Sequence, residues 1–347
     1  MKRRTISRRS ALGLASSIAV AFASCESPPK GSRLELTQAG FRVLYMAPVF
    51  VAIEKGFFAR ENLDFSFVEI ESGALGVAAV LSGDAQISDV DPMTVALLHR
   101  KRQPLLMFYN LVQGVTLDLV ARRDVVEKSG VSDSSSLEER CRILRGLRIG
   151  ITRPGAPTDV FARYFLERAG LDPDREATLI QVGGVAALDA AFRSGRIDAL
   201  ILSPPLPQTL EIDGVGKILV RNTAGEVPEL QGTTLVNLFT SADFAHANGR
   251  VLEAYSRALS AAVSWIGENR QAALGILHDK YFSETSPQGL AASLEALWPR
   301  FNPEGRFAES NVRRYFDIFS SVGEGVEADA SEGVLWTNEF LQLEGGG

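Results

Sequence analysis

Thiols and imidazoles are scarce in this chain: 347 residues carry two cysteines, Cys25 and Cys141, and three histidines, His99, His246 and His278. With so few, scattered groups, no Cys/His/carboxylate spacing of a metal site occurs, and neither a metal nor a cofactor is expected. A Gly-x-Ser-x-Gly turn, a Ser-His-Asp order and a nucleophilic cysteine in a polar loop are all missing, which removes the common covalent catalysts. Beyond the extreme N-terminus the basic residues form no stripe. Lys2, Arg3, Arg4, Arg8 and Arg9 are the only charges in residues 1–24, and without those five the formal charge falls from −6 to −11. A body so acidic, with no basic stripe, does not fit a nucleic-acid partner, whose phosphates are held by clustered Lys and Arg.

What is present begins with an export signal. The five basic residues precede an apolar, uncharged run, Ala11 to Ser24, too short to span a bilayer. Residues 1–24 therefore read as a signal peptide. Within them Ser7-Arg8-Arg9-Ser10-Ala11-Leu12 resembles a twin-arginine signal, with Ala11 where Phe is usual, so the export route stays open between the twin-arginine and general secretory systems. Phe22-Ala23-Ser24-Cys25 resembles a lipobox, which makes Cys25 the expected lipid attachment point and residues 25–32, with Pro28, Pro29 and Gly31, a short tether. Cys141 is then the one thiol left, and no internal disulfide can form.

The body of the chain echoes itself. Leu34 to Ala39 reads as a strand, followed by a loop through Gly40, Phe41, Arg42 and Tyr45 and a helix from Pro48 to Ala59. A strand, Asp64 to Ile70, a helix, Ala74 to Leu81, and a strand, Ala85 to Val90, end at Asp91-Pro92. The second half repeats the order: strand Arg148 to Thr152, loop Arg153 to Pro157, helix Thr158 to Gly170, strand Ala177 to Val182, helix Val185 to Arg193, and strand Asp198 to Leu202 ending at Ser203-Pro204. In both halves ten positions separate the Ser of a Ser-Gly pair from the closing Pro, Ser82 to Pro92 and Ser194 to Pro204. Two copies of one βαβαβ unit account for this. Right-handed crossovers make each unit a mostly parallel sheet covered on both faces by helices. The fold class is therefore α/β, and two such units facing one another enclose a cleft at the carboxyl ends of their strands.

The residues also resemble a known family. VAIEKGFFARENLD (Val51 to Asp64), ESGALGVAAVLSGDAQIS (Glu71 to Ser88), LRGLRIGI (Leu144 to Ile151), ERAGLDPD (Glu167 to Asp174) and AALDAAFRSGRIDALIL (Ala186 to Leu202) are similar to the nitrate/sulfonate/taurine and thiamine-precursor group of ABC-transporter solute-binding proteins. The likeness runs from about Leu34 to Leu277. It implies a type II periplasmic-binding fold of two α/β domains joined by two crossing strands, expected near Leu117 to Arg122 and Thr233 to Thr240. Domain 1 would comprise 33–118 plus 240–347, and domain 2 would comprise 119–239 with the hinge crossings. A helical tail (Arg250 to Asn269, Gln271 to His278, Gln288 to Pro299, Glu309 to Ser321) is expected to pack on the first domain.

Four loops then face the cleft. Ser72, Gly73 and Ala74, and Gly183 and Gly184, open helices with little bulk, so their N–H groups can meet ligand oxygens or simply form tight turns. Arg42 and Arg153 occupy the first loop of each half and either clasp an anion or sit as solvated loop charges. Phe41 and Tyr45 can stack a flat ring. Gly155 and Thr158 belong to the same wall as Arg153. Asp91 and Ser203 read first as helix N-caps before Pro and second as ligand contacts. Tyr109 and Asn110 end the strand Leu105 to Phe108. The Arg pair favours an organic anion such as a sulfonate or carboxylate, whereas Asp89, Asp91 and Glu71 suit an amine or a pyrimidine. The resemblance implies a monomeric, exported lipoprotein without catalytic residues, partnered by an ABC permease and ATPase. A receptor feeding a sensor is the alternative, and an enzyme like the thiamine-pyrimidine synthases is a third, for which the Cys-rich motif is missing.

Overall fold

A computed structural model describes residues 34–341. The signal segment 1–24, the lipidation site Cys25 and the tether 25–32 lie outside the described residues. The strands are β1 (Leu34–Gly40), β2 (Leu63–Glu69), β3 (Ser88–Val90), β4 (Leu105–Gln113), β5 (Asp118–Arg122), β6 (Arg148–Ile151), β7 (Thr178–Gln181), β8 (Ala199–Leu202), β9 (Gly216–Val220) and β10 (Thr234–Ser241). β1 and β2 pair in parallel over their full length. A bridge between Gln38 and Ile87, with Ala39 N–H donating to the Ile87 carbonyl at 2.9 Å, brings β3 beside β1. β10 then lies antiparallel between β3 and β4. The spatial order is β2-β1-β3-β10-β4.

The second sheet has the order β7-β6-β8-β5-β9. β6 pairs in parallel with β7 and β8, and β5 runs antiparallel to both β8 and β9. The two orders are the same once the repeat is laid on itself. In each, the fourth strand is antiparallel and is the one by which the chain arrives from the other half. β8 is buried throughout and β5 at all but its last residue, as expected for strands with helices on both faces.

Local chemistry explains most boundaries. Ser72 and Asp91 accept N–H bonds from Leu75 and Thr94 and so start the helices Gly73–Ser82 and Pro92–Arg100. Gly83 in the left-handed region closes the Gly73–Ser82 helix, and Arg168 lies in the last turn of the Pro157–Arg168 helix. The expected helix from Pro48 to Ala59 is instead two, Ala47–Glu54 and Phe57–Arg60, because Gly56 takes φ 67° between them. Tyr109 and Asn110 do not end a strand: β4 continues to Gln113, and Tyr109 is fully buried with its hydroxyl donating to the carbonyls of Asn302 and Pro303 at 3.1 Å.

The tail does not pack on the first half alone. Helices Gly249–Glu268 and Arg270–Tyr281 lie on the Ala47–Glu54 helix, but Pro287–Leu297 packs against Leu206–Ile212 of the second half. Glu309–Ser321 sits between Pro92–Arg100, β10 and Pro157–Arg168. The cause is its apolar stripe: Val312, Tyr315, Phe316 and Phe319 are buried, and Phe319 meets Phe161 edge-on at 6.3 Å between ring centroids. Trp336 is buried with its Nε1–H on the Ala330 carbonyl at 2.8 Å, as a packing residue.

Candidate functional site

The carboxyl ends of the parallel strands place the predicted loops. At the Glu71–Ala74 loop, Ser72 is the N-cap of the Gly73–Ser82 helix. At the end of β7, Gly183 takes φ 108° and Gly184 is the N-cap of the Val185–Arg193 helix, with no side chain bonded to that helix start. The first N–H groups of a helix have no partner within it, so this terminus presents donors. The two loops come from different halves and meet: a methyl group at Gly184 would stand 3.9 Å from the Glu71 carbonyl oxygen. This is one place where the predicted walls approach each other.

The other predicted residues fall into distinct settings. Arg42 is exposed and committed: its guanidinium lies 3.3 Å from Glu69, 3.5 Å from Glu284 and 3.3 Å from the Tyr281 carbonyl that it donates to. Arg153 is exposed and donates to the carbonyl of its neighbour Pro154 at 3.3 Å. Gly155 is exposed at φ 68°, and its N–H donates to Asp159 at 2.7 Å. Thr158 is buried, and its hydroxyl accepts the Thr152 N–H at 3.0 Å, which pins the loop. Asp91 accepts from the Thr94 N–H (3.1 Å), the Thr94 hydroxyl (2.7 Å) and the Tyr315 hydroxyl (3.0 Å), so its carboxylate is occupied as a cap. Ser203 caps no helix. The next helix starts at Leu206 after a cis Pro204–Pro205 peptide, and the buried Ser203 hydroxyl lies 3.3 Å from that of Thr116. Asn110 is buried and donates to Thr234 at 2.9 Å, while its Oδ1 has no partner.

Phe41 and Tyr45 are half-buried in the loop after β1. Tyr45 donates its hydroxyl hydrogen to Oδ2 of Asp89 at 2.9 Å. Asp89, in β3, is 5% exposed, and its Oδ1 has no hydrogen-bond partner. Burial drives this carboxyl up to about 7, against the Tyr45 hydroxyl and the nearby N–H groups of Asp89 and Phe41, which favour its charge. Burial, with Asp89 alongside, pushes the Tyr45 phenol well above its ordinary value. By register Asp89 and Tyr109 both oppose Leu238, whereas Asn110 opposes Asn237. Neighbours in register share a face and successive residues alternate, so Asp89 and Asn110 point to opposite faces. The sequence signal for Asp89 is a carboxylate inside the short strand Ser88-Asp89-Val90, whose other residues are buried.

A second buried acid, Asp118 at the start of β5, escaped the sequence reading. It accepts from Gln208 at 2.6 Å and from the Thr223 N–H at 2.7 Å, and burial raises it to about 6. With Gln208, Glu211, Arg221, Ala292 and Ala296 it lines a cavity of about 130 Å³, which contains none of the predicted residues. Cys141 is buried, and its thiol is pushed up to about 12, which makes it unreactive. Among the described residues no group of three or more His, Cys, Asp or Glu could hold a metal ion.

The sequence profile of the NMT1-like family matches residues 33–277. A Bacillus subtilis (strain 168) binding protein, YtlA, is 24% identical over 279 residues, 79% of this chain and 78% of that protein. The formylaminopyrimidine-binding protein of Halalkalibacterium halodurans is 24% identical over 283 residues, 78% of this chain and 79% of its own. The solved alkanesulfonate-binding protein SsuA of Xanthomonas axonopodis pv. citri, bound to MOPS, superposes with a TM-score of 0.67 at 15% identity, covering 86% of this chain and 96% of that one. This likeness establishes the fold as that of the periplasmic binding proteins.

Proposed function

The chain belongs to the NMT1-like family, and we propose that it is the exported solute-binding component of an ABC importer, taking a small organic solute between its two lobes and delivering it to a membrane permease. One lobe holds the β2-β1-β3-β10-β4 sheet and the other the β7-β6-β8-β5-β9 sheet, with the chain crossing before β5 and before β10. Cys25 carries the lipid that keeps the protein at the membrane surface. The observation that carries the reading is the meeting of the Glu71–Ala74 and Gly183–Val185 loops from opposite lobes. Contacts made to both lobes at once stabilise the closed form only when a solute is present, which is how binding becomes a signal for the permease. Relatives named for binding rather than for catalysis support a carrier without turnover.

The test is a thermal-shift screen of sulfonates, carboxylates, nitrate, amines and pyrimidines, followed by calorimetry on each hit. A true solute at a hundred times its Kd stabilises the protein by about 2.7 kcal/mol, and the hit is recovered unchanged after incubation. A solute that is chemically converted, or a screen with no stabilising compound, counts against the proposal.

A further inference from the structure

We propose that Asp89, with Tyr45, selects the solute in the first lobe and accepts a hydrogen bond from a donor nitrogen: an amine, an amidine or the amino group of an aminopyrimidine. This rests on the cleft being the solute site. Four observations converge on it. Asp89 is 5% exposed, one carboxylate oxygen accepts from Tyr45 at 2.9 Å, and the other is unpartnered. An orphaned buried oxygen is costly. The fold itself does not ask for a carboxylate there: seven residues after Ser82 stands Asp89, and seven after Ser194 stands Ile201, which is fully buried.

Gly40, the last residue of β1, lies directly beside the free oxygen, which is closed to solvent. A methyl group on Gly40 would come within 3.3 Å of Oδ1 of Asp89 and 3.0 Å of the Phe67 ring, so any side chain would crowd the oxygen. Finally, Tyr45 spends its one hydrogen on Oδ2, so what remains at this wall accepts hydrogen bonds and repels anions. The predicted cation of the same loop, Arg42, is engaged by Glu69 and Glu284. The titratable groups facing Asp89 are Tyr45 from the loop after β1 and Tyr255 from the Gly249–Glu268 helix, both held neutral by burial. A cationic or donor solute supplies the partner that keeps the carboxylate charged.

The experiment is titration calorimetry at pH 7.5 with benzamidine and 4-aminopyrimidine as donor probes and methanesulfonate and nitrate as anions. It compares the unaltered protein with Asp89→Asn, nearly isosteric, and Tyr45→Phe, which removes a hydroxyl from a half-buried ring; melting curves verify folding. At least one donor probe binds, Asp89→Asn weakens it tenfold or more, and Tyr45→Phe weakens it about threefold. The assignment falls if Asp89→Asn binds the donor probes within twofold of the unaltered protein, if only the anions bind, or if no probe binds. Binding of the anions alone would leave the solute-carrier reading standing and remove only the donor-nitrogen claim.

Discussion

The two halves share a strand order and differ at the ends of their strands. At the third parallel position the first half has Asp89, buried with an unpartnered oxygen, and the second has Ile201 in an apolar core. Two positions on, Asp91 caps a helix through Thr94, whereas Ser203 only meets Thr116 across 3.3 Å. The loop after β1 is half-buried around Phe41 and Tyr45, and the loop after β6 leaves Arg153, Pro154 and Gly155 exposed. Repetition preserved the apolar frame, which packing constrains, and changed the positions that frame does not need. Those departures from symmetry are where the proposed solute contacts fall.

The comparison breaks most severely where the halves are joined. Phe319, nearly fully buried, touches Phe161 of the second half, while Tyr315 on the same helix bonds Asp91 of the first. Phe319→Ala should cost about 3–5 kcal/mol in urea unfolding; a loss under about 1 kcal/mol would mean that the helix clasps neither half.

A smaller effect comes from giving the first half the second half's residue. The Asp89 carboxyl is raised in the folded protein to about 7 from its ordinary 3.8, so the folded state holds a proton that the unfolded state releases between those values. The stability this group contributes is then fullest below about pH 4 and is lost as pH rises to 7, at roughly 1.4 kcal/mol for each pH step of one. Asp89→Ile should raise stability at pH 8 on the order of 2 kcal/mol relative to pH 5 and flatten the profile, with a residual slope from Asp118, raised to about 6. Parallel unfolding profiles for the two proteins would contradict the burial argument. The smallest change is Arg42→Ala. Its ion pairs join exposed groups, 42% exposed for Arg42 and 55% and 69% for its partners, so the stability cost should stay below about 1 kcal/mol, and donor-probe affinity should be unchanged by calorimetry.

Much of this frame is legible in the residues. The helices Val185–Arg193 and Glu309–Ser321 fall at the bounds their apolar spacing predicts, because each buries one regular stripe. The shared strand order follows from two copies of one pattern. Harder to read is whatever depends on distant contacts. The division of the tail between both halves arises from Phe319 meeting Phe161, 158 positions earlier in the chain. The occupation of Arg42 by Glu284 and of Asp91 by Tyr315 is likewise invisible locally. Asp118 sits in a strand that reads as apolar, and only Gln208 and Thr223 reveal how it is accommodated.

The central claim is that two lobes close on a solute, and a distance across the mouth tests it most directly. Ala74 and Ala186 are exposed at the opposing helix starts. Spin labels on cysteines at those positions, read by pulsed dipolar spectroscopy, should show a longer separation without solute and a single shorter one with a saturating hit from the thermal screen. One unchanged distribution in both conditions would contradict the account.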